Sequence, residues 1–221
     1  MSILDNKVSY GISPGNHDMT SGSAPKYENH FPATRYEGYS YWGGSYNQNK
    51  NNYQLFSTGG MEFIALNLEY YPPDNVIDWA DNVLDNYPNR RAIISTHAFL
   101  NADGTRSTYG ASIWDNLVVP HNNVFLVLCG HVIGEAKRSD NIDNRTVHQL
   151  LSNYQDRSNG GNGWLRIMEF APSENKIYVR TYSPYLDQYE TDSNSQFTLT
   201  YPMAAGGLAV STLGAENVGY T

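Results

Sequence analysis

Arg91-Ala92-Ile93-Ile94-Ser95-Thr96-His97 is a short apolar run that ends on a histidine, and Val124-Phe125-Leu126-Val127-Leu128-Cys129-Gly130-His131 repeats the plan further along. Runs of this length bounded by turn residues suit strands buried in a layered sheet. Between them, Ile113, Trp114 and Leu117 predict a short helix ahead of Pro120. Two buried strands that each deliver a histidine at the carboxyl end place both histidines on one edge of the sheet. That edge is where α/β proteins build ligand sites.

Working outward, Pro72-Pro73-Asp74 opens a segment in which Val76, Trp79, Ala80, Val83 and Leu84 recur at helical spacing, with Asp78 and Asp81 facing out and Pro88 ending it. Residues 53–57 and 61–68 alternate on either side of Thr58-Gly59-Gly60 and predict a β-hairpin. A second hairpin is expected from 135–138 and 145–151 around Asn141-Ile142-Asp143-Asn144. Gly160-Gly161-Asn162-Gly163 reads as a flexible break. Residues 164–170 and 177–182 then pair, and 196–200 add a last strand. The fold class this predicts is mixed α/β (α+β), with one domain over residues 1–201 and a small-residue-rich tail over 202–221.

The tract 19–52 is polar and studded with aromatics, and its length without evident periodicity reads as a long loop. Tyr39, Tyr41 and Trp42 within it are the candidate substrate-binding residues. Either they line a substrate entrance or they pin the loop to the body.

Composition narrows the function classes. The chain has 221 residues and a net charge of -8, with 40 % hydrophobic and 16 % charged residues, 18 Tyr and 19 Gly. That suits a strand-rich, turn-rich globular domain. No window collects the Lys and Arg that phosphate-backbone binding needs, so nucleic acid is not an expected partner. No apolar run approaches the ~20 residues of a membrane span, and residues 1–10 carry neither the basic start nor the apolar core of a signal peptide. A soluble chain with no membrane partner is expected, its compartment left open. The single Cys129 excludes an intrachain disulfide, and its place in an apolar strand predicts an inert thiol rather than a nucleophile.

Near the amino end, residues 8–12 read as a strand reaching Ser13-Pro14 and the polar loop Gly15-Asn16-His17-Asp18. Asn oxygens and His nitrogens are metal ligands, and an Asp beside a His can orient its ring. The same residues are ordinary in turns. Gly-Asn-His-Asp, the strand-end His97 and Gly130-His131, in that order, resemble the signature of the calcineurin-like metallophosphoesterases in their bacterial form. The likeness runs from about Val8 to Tyr201 and includes the stretches 149–155, 160–163 and 181–184.

That resemblance implies a layered α/β/β/α sandwich. It implies that Asn16, His97 and His131 hold a divalent metal (Zn, Mn or Fe), with His17 as general acid and Asp18 as its orienter. The reaction implied is attack of activated water on an ester centre of a small-molecule substrate. Two features of the family are missing. No Asp-x-His or Gly-Asp block precedes Val8, and Ile133 stands where the second histidine of Gly-His-x-His would be. Both losses fall on one metal, so one metal site at most is expected, and the first strands of the fold are missing. An unpaired sheet edge suited to self-association follows.

A reduced site favours phosphodiesters or activated carboxylic esters over phosphate monoesters. The alternative is a catalytically impaired fragment or ligand-binding module that keeps the fold. His30, His121 and His148 match no motif position and are expected on the surface or on a strand face. A Ser95/His97 esterase pair lacks the Gly-x-Ser-x-Gly elbow that would support it.

Overall fold

The periodic segments fold where their spacing predicts. The computed structural model describes residues 2–5 and 7–203. Its elements run α1 (Pro25–His30), β1 (Trp42–Tyr46), β2 (Asn51–Thr58), β3 (Met61–Leu68), α2 (Asp74–Asn86), β4 (Arg91–Thr96), α3 (Thr108–Ile113), β5 (Val124–Cys129), β6 (Gly134–Ile142) and β7 (Arg145–Asn153). There follow α4 (Ser158–Gly161), β8 (Leu165–Ala171), β9 (Lys176–Ser183), β10 (Gln188–Glu190) and β11 (Phe197–Thr200).

The first seven strands form one sheet in the order β1-β2-β3-β4-β5-β7-β6, and β8 to β11 form a second, four-stranded sheet. Strands β3, β4 and β5 are parallel neighbours, as are β5 and β7. The order 3-4-5 advances in one direction, so right-handed crossovers put their connecting helices on the same face. There Val76, Ala80, Leu84, Ile113 and Leu117 pack on Ile64, Leu66, Leu68 and Ile94, all at 1 % exposure or less. Each such side chain contributes about 1.5–3 kcal/mol relative to exposure. A short π-helical turn, Trp114–Val118, continues α3 toward Pro120.

The opposite face of the large sheet is shared. Toward the amino ends of the parallel strands it is covered by the second sheet, where Phe63, Phe125 and Leu126 meet Ile177, Val179, Phe170 and Tyr201. The mixed α/β class is therefore realised as helices on a sheet, backed by a second sheet. Leu165 and Ile167, 43 % and 39 % exposed, lie on the outer side of β8, so the second helical layer of the implied α/β/β/α order does not cover them. Two residues of the expected tail, Pro202 and Met203, lie among the described residues. Met203 is 1 % exposed and its N–H donates to Asn175 Oδ1 at 2.6 Å, while residues 204–221 of the tail lie outside the described residues.

Two expectations near the amino end are corrected. Residues 8–12 are not a strand; the segment crosses the large sheet's second face at its carboxyl end without joining a ladder. And the tract 19–52 is not one long loop, since it holds α1, a 3-10 turn at Ala33–Arg35, β1 and the start of β2. The reason is that several of its polar residues are buried and hydrogen-bonded. Asn49, Lys50, Asn51, Asn52, Gln54, Asn67 and Glu69 are all buried.

Asn52 Nδ2 donates to the carbonyl of Ile12 at 2.7 Å, and its Oδ1 accepts from Gln54 Nε2 at 2.8 Å and Asn67 Nδ2 at 3.1 Å. Asn67 Nδ2 also donates to Gln54 Oε1 at 2.7 Å. Gly11 lies directly on this cluster: a Cβ there would come within 2.1 Å of Gln54 Oε1 and 2.4 Å of Asn67 Nδ2. Asn47, Gln48 and Asn49 all have left-handed φ, of 54°, 57° and 64°, and turn β1 back into β2. Asparagine tolerates that region better than most residues.

Asn52→Ala strips four hydrogen bonds from a buried network and leaves partners unpaired, so a loss of about 2–4 kcal/mol is expected in urea unfolding. Asn82→Ala, on the exposed face of α2, should stay within about 0.5 kcal/mol of the parent.

Candidate active site

His97 follows β4 and His131 follows β5 by two residues, so parallel pairing of those strands brings the histidines together. His131 Nδ1 lies 3.2 Å from His97 Nε2, and His97 Nε2 lies 2.8 Å from Asn16 Oδ1. Backbone contacts hold the three in place. The Gly130 N–H donates to the His97 carbonyl at 3.0 Å, Asn153 Nδ2 donates to the His131 carbonyl at 2.9 Å, and the Tyr70 N–H donates to the Pro14 carbonyl at 3.3 Å.

Gly15 passes against the His97 ring, where a Cβ would meet Cε1 at 2.8 Å and both ring nitrogens within 3.2 Å. Burial, with His131 beside it, holds His97 below the usual imidazole pKa, so its ring is neutral at pH 7 and keeps a lone pair. Two other atoms able to donate lone pairs, Asn16 Oδ1 and His131 Nδ1, lie within 3.2 Å of His97 Nε2. Spacings of 2.8 and 3.2 Å resemble the roughly 3–3.5 Å between ligand atoms around a Zn-like cation. Two imidazole nitrogens and an amide oxygen fit a borderline-soft divalent metal, and the set contains no carboxylate.

The rest of the Gly15 loop departs from its expected roles. Asp18 Oδ2 accepts the Gly15 N–H at 2.9 Å and closes the turn rather than bonding to His17, and His17 is exposed beside Asn16. Ile133 is 41 % exposed and brings no donor atom.

The aromatics proposed for substrate are elsewhere. Trp42 pairs with Gln54, which is level with Ala65 and Ile93, four residues short of His97. At ~3.3 Å per residue that is ~13 Å along the strands. Because β1 runs in the same direction as β3, residues preceding it lie at the amino end of the sheet, away from the histidines. Trp42 stacks on buried Tyr36 at 5.0 Å and Tyr39 on Tyr41 at 5.4 Å, so they pin the tract to the body.

The aromatics beside the histidines are Tyr70, Tyr71 and Tyr109. The Tyr70 ring is 5.4 Å from His97 and 5.1 Å from His131, and Tyr71 is 6.4 Å from His131. Tyr70 and Tyr71 follow β3 onto the same carboxyl edge, the signal by which the sequence could have indicated them. His131 and Tyr71 have left-handed φ of 63° and 52°. For a bulky tyrosine this is strained backbone, a condition that clusters at functional sites.

The other histidines stay apart from the site. His148, 4 % exposed on β7, donates to or accepts from Ser139 Oγ at 2.8 Å and bonds the Thr200 carbonyl at 3.0 Å. His30 is exposed. His121 is not a surface residue: it is 7 % exposed, with Asp81 Oδ1 2.9 Å from Nε2. The acidic cluster of Glu135, Glu190 and Asp192 is matched by arginines. Arg166 pairs with Glu135, and Arg157 pairs with Glu190 and, at 3.4 Å, with Glu135. It reads as an ionic clasp between β6 and the second sheet.

No family model matches the chain. The chain is 35 % identical over 206 residues to the uncharacterized protein YvnB of Bacillus subtilis (strain 168), an alignment covering 87 % of this chain and 16 % of that protein. The chain thus spans about a sixth of the length of the curated relative it matches. No helix among the described residues is long and apolar enough to cross a membrane.

Cys129, buried at the end of β5, has its thiol pushed up to about 11 by burial. The native thiol therefore stays protonated where an unfolded one ionises. Alkylation by iodoacetamide at pH 8 should proceed only through unfolding, and the thiol's contribution to stability is present below pH ~9 and lost as pH rises toward ~11. Mass-spectrometric labelling with and without urea, and unfolding curves across that range, check both.

Proposed function

We propose that this domain is a metal-assisted ester hydrolase of the calcineurin-like phosphoesterase type, acting on phosphodiesters or activated carboxylic esters. The observation that carries the reading is the convergence of Asn16 Oδ1, His97 Nε2 and His131 Nδ1, from three separate segments, within 2.8 and 3.2 Å contacts. Those residues would hold one divalent cation. When bound, the cation supplies Lewis-acid polarisation of the ester and activation of water.

The remaining chemistry belongs to the chain. His17, exposed next to Asn16, serves as the proton donor to the leaving-group oxygen. Asp18 holds the turn that presents His17, through the Gly15 N–H, in place of the direct orienting bond. A single cation would stabilise a phosphoryl dianion less well than a pair would, which favours the singly charged phosphodiester.

The test uses bis(p-nitrophenyl) phosphate and p-nitrophenyl acetate with Zn, Mn or Fe and a chelator control, alongside metal content by mass spectrometry. Hydrolysis should require metal, and Asn16→Ala, His97→Ala and His131→Ala should each lower both metal content and rate, the rate by at least about 100-fold. His17→Asn should retain the metal and cost more with methyl-leaving diesters than with p-nitrophenolate, which departs without a proton. A metal-free protein with no hydrolysis of either ester under any added metal would instead favour the ligand-binding module.

A further inference from the structure

The histidine site has a neighbour that the metal-and-acid reading leaves unused. Tyr70, Tyr71 and Tyr109 form a continuous stack, with Tyr70 on Tyr71 at 3.7 Å and 24°, and Tyr71 on Tyr109 at 3.4 Å and 15°. The inner end of this stack touches both histidines, and the outer end, Tyr109, is 41 % exposed.

Tyr109 is held by more than its ring. It lies in the first turn of α3, whose N-cap Ser107 accepts the Gly110 N–H at 3.0 Å and whose own N–H donates to the Phe99 carbonyl at 2.9 Å. Gly110 is packed so closely on Phe99 that a Cβ would lie 2.1 Å from its carbonyl oxygen. That contact ties α3 to the loop leaving His97, so Tyr109 and His97 share one support.

Tyr71 sits at φ 52°, while the other non-glycine residues with positive φ among the described residues are Asn, Asp, Ser, Gln and His131. A strained tyrosine held between two others, beside two converging histidines, is costly for a purely structural contact. One face of Tyr109 is covered by Tyr71, while the residue as a whole is 41 % exposed. A rigid, partly exposed ring is a stacking surface for another flat ring, and stacking of this kind is tolerant of which ring it receives.

We propose that Tyr109, backed by Tyr71, forms a platform for an aromatic ring on the substrate, so that the site takes esters carrying a nucleobase or an aryl group. The identity of the reacting centre rests on the hydrolase reading above; the ring preference does not. The test compares the methyl diesters of adenosine 5′-monophosphate, phenyl phosphate and glycerol 3-phosphate by calorimetric titration, three ligands that share a phosphodiester and differ in what it carries.

The two ring-bearing ligands should bind about 10-fold more tightly than the glycerol diester. Tyr109→Leu should bring them down to the glycerol diester value and Tyr109→Phe should keep the preference, with both variants unfolding at the parent temperature. A tighter fit for the nucleotide diester assigns the platform to nucleobases, and equal or tighter binding of the phenyl diester assigns it to aryl groups. Equal affinity for all three ligands, no binding of any, or a preference that survives Tyr109→Leu overturns the proposal. Ring preference without hydrolysis counts against the hydrolase reading alone, and hydrolysis without ring preference counts against the platform alone.

Discussion

The buried carboxamides of Asn52, Gln54 and Asn67 are the constraint on which the site's architecture depends. They occupy the carboxyl end of a sheet face whose other end is a phenylalanine-rich core against the second sheet. An amide in that position must be paired or it costs about 1–3 kcal/mol, and the partners come from each other and from the carbonyl of Ile12. The amino-terminal segment is thereby fastened across the sheet without becoming a strand. Glycine at position 11 permits the close approach, and Asn16 is carried to the histidines a few residues later.

A second polar group locks the neighbouring turn. Lys50 and Glu69 face each other at 3.5 Å with side chains 4 % and 2 % exposed, and Glu69 Oε1 also accepts from Asn47 and Asn51. Removing Lys50 would leave the Glu69 carboxylate buried with no cation beside it, whereas Lys50 also has Glu28 at 3.9 Å. Tyr27 adds a hydroxyl to the carbonyls of Ile12 and Asn49, which ties α1 to the same knot. The arrangement makes the amino-terminal third a folded polar cap on the sheet, and it ends where Tyr70 leaves β3 beside His97.

At the edge itself, neighbouring parallel strands supply His97 and His131, β3 supplies Tyr70 and Tyr71, and the loop after β4 supplies Tyr109 through α3. Each arrives because parallel strands end on the same side. The chemistry is concentrated where local geometry is least relaxed, at His131 and Tyr71, with Gly15 and Gly110 in contacts too close for any side chain. Glu135 does a different job, joining Arg157 and Arg166 across the two sheets.

What the sequence by itself determined is the part governed by local periodicity. The alternation of residues 53–68, the helical spacing from Val76 to Leu84 and the apolar runs ending at His97 and near His131 are short-range patterns, and each became the expected element. The meeting of His97 with His131 was legible too, because it follows from strand direction alone. Tertiary structure alone decided the fate of the polar residues. Asn-rich sequence looks like loop because a carboxamide's partner is invisible along the chain; only when Ile12, Asn67 and Glu69 come close does burial cease to be costly. The same reason placed Tyr39, Tyr41 and Trp42 at the far end of the sheet and Tyr109 at the near one: an aromatic ring in a connecting segment has no period to read, and its position is set by which strand end the segment leaves.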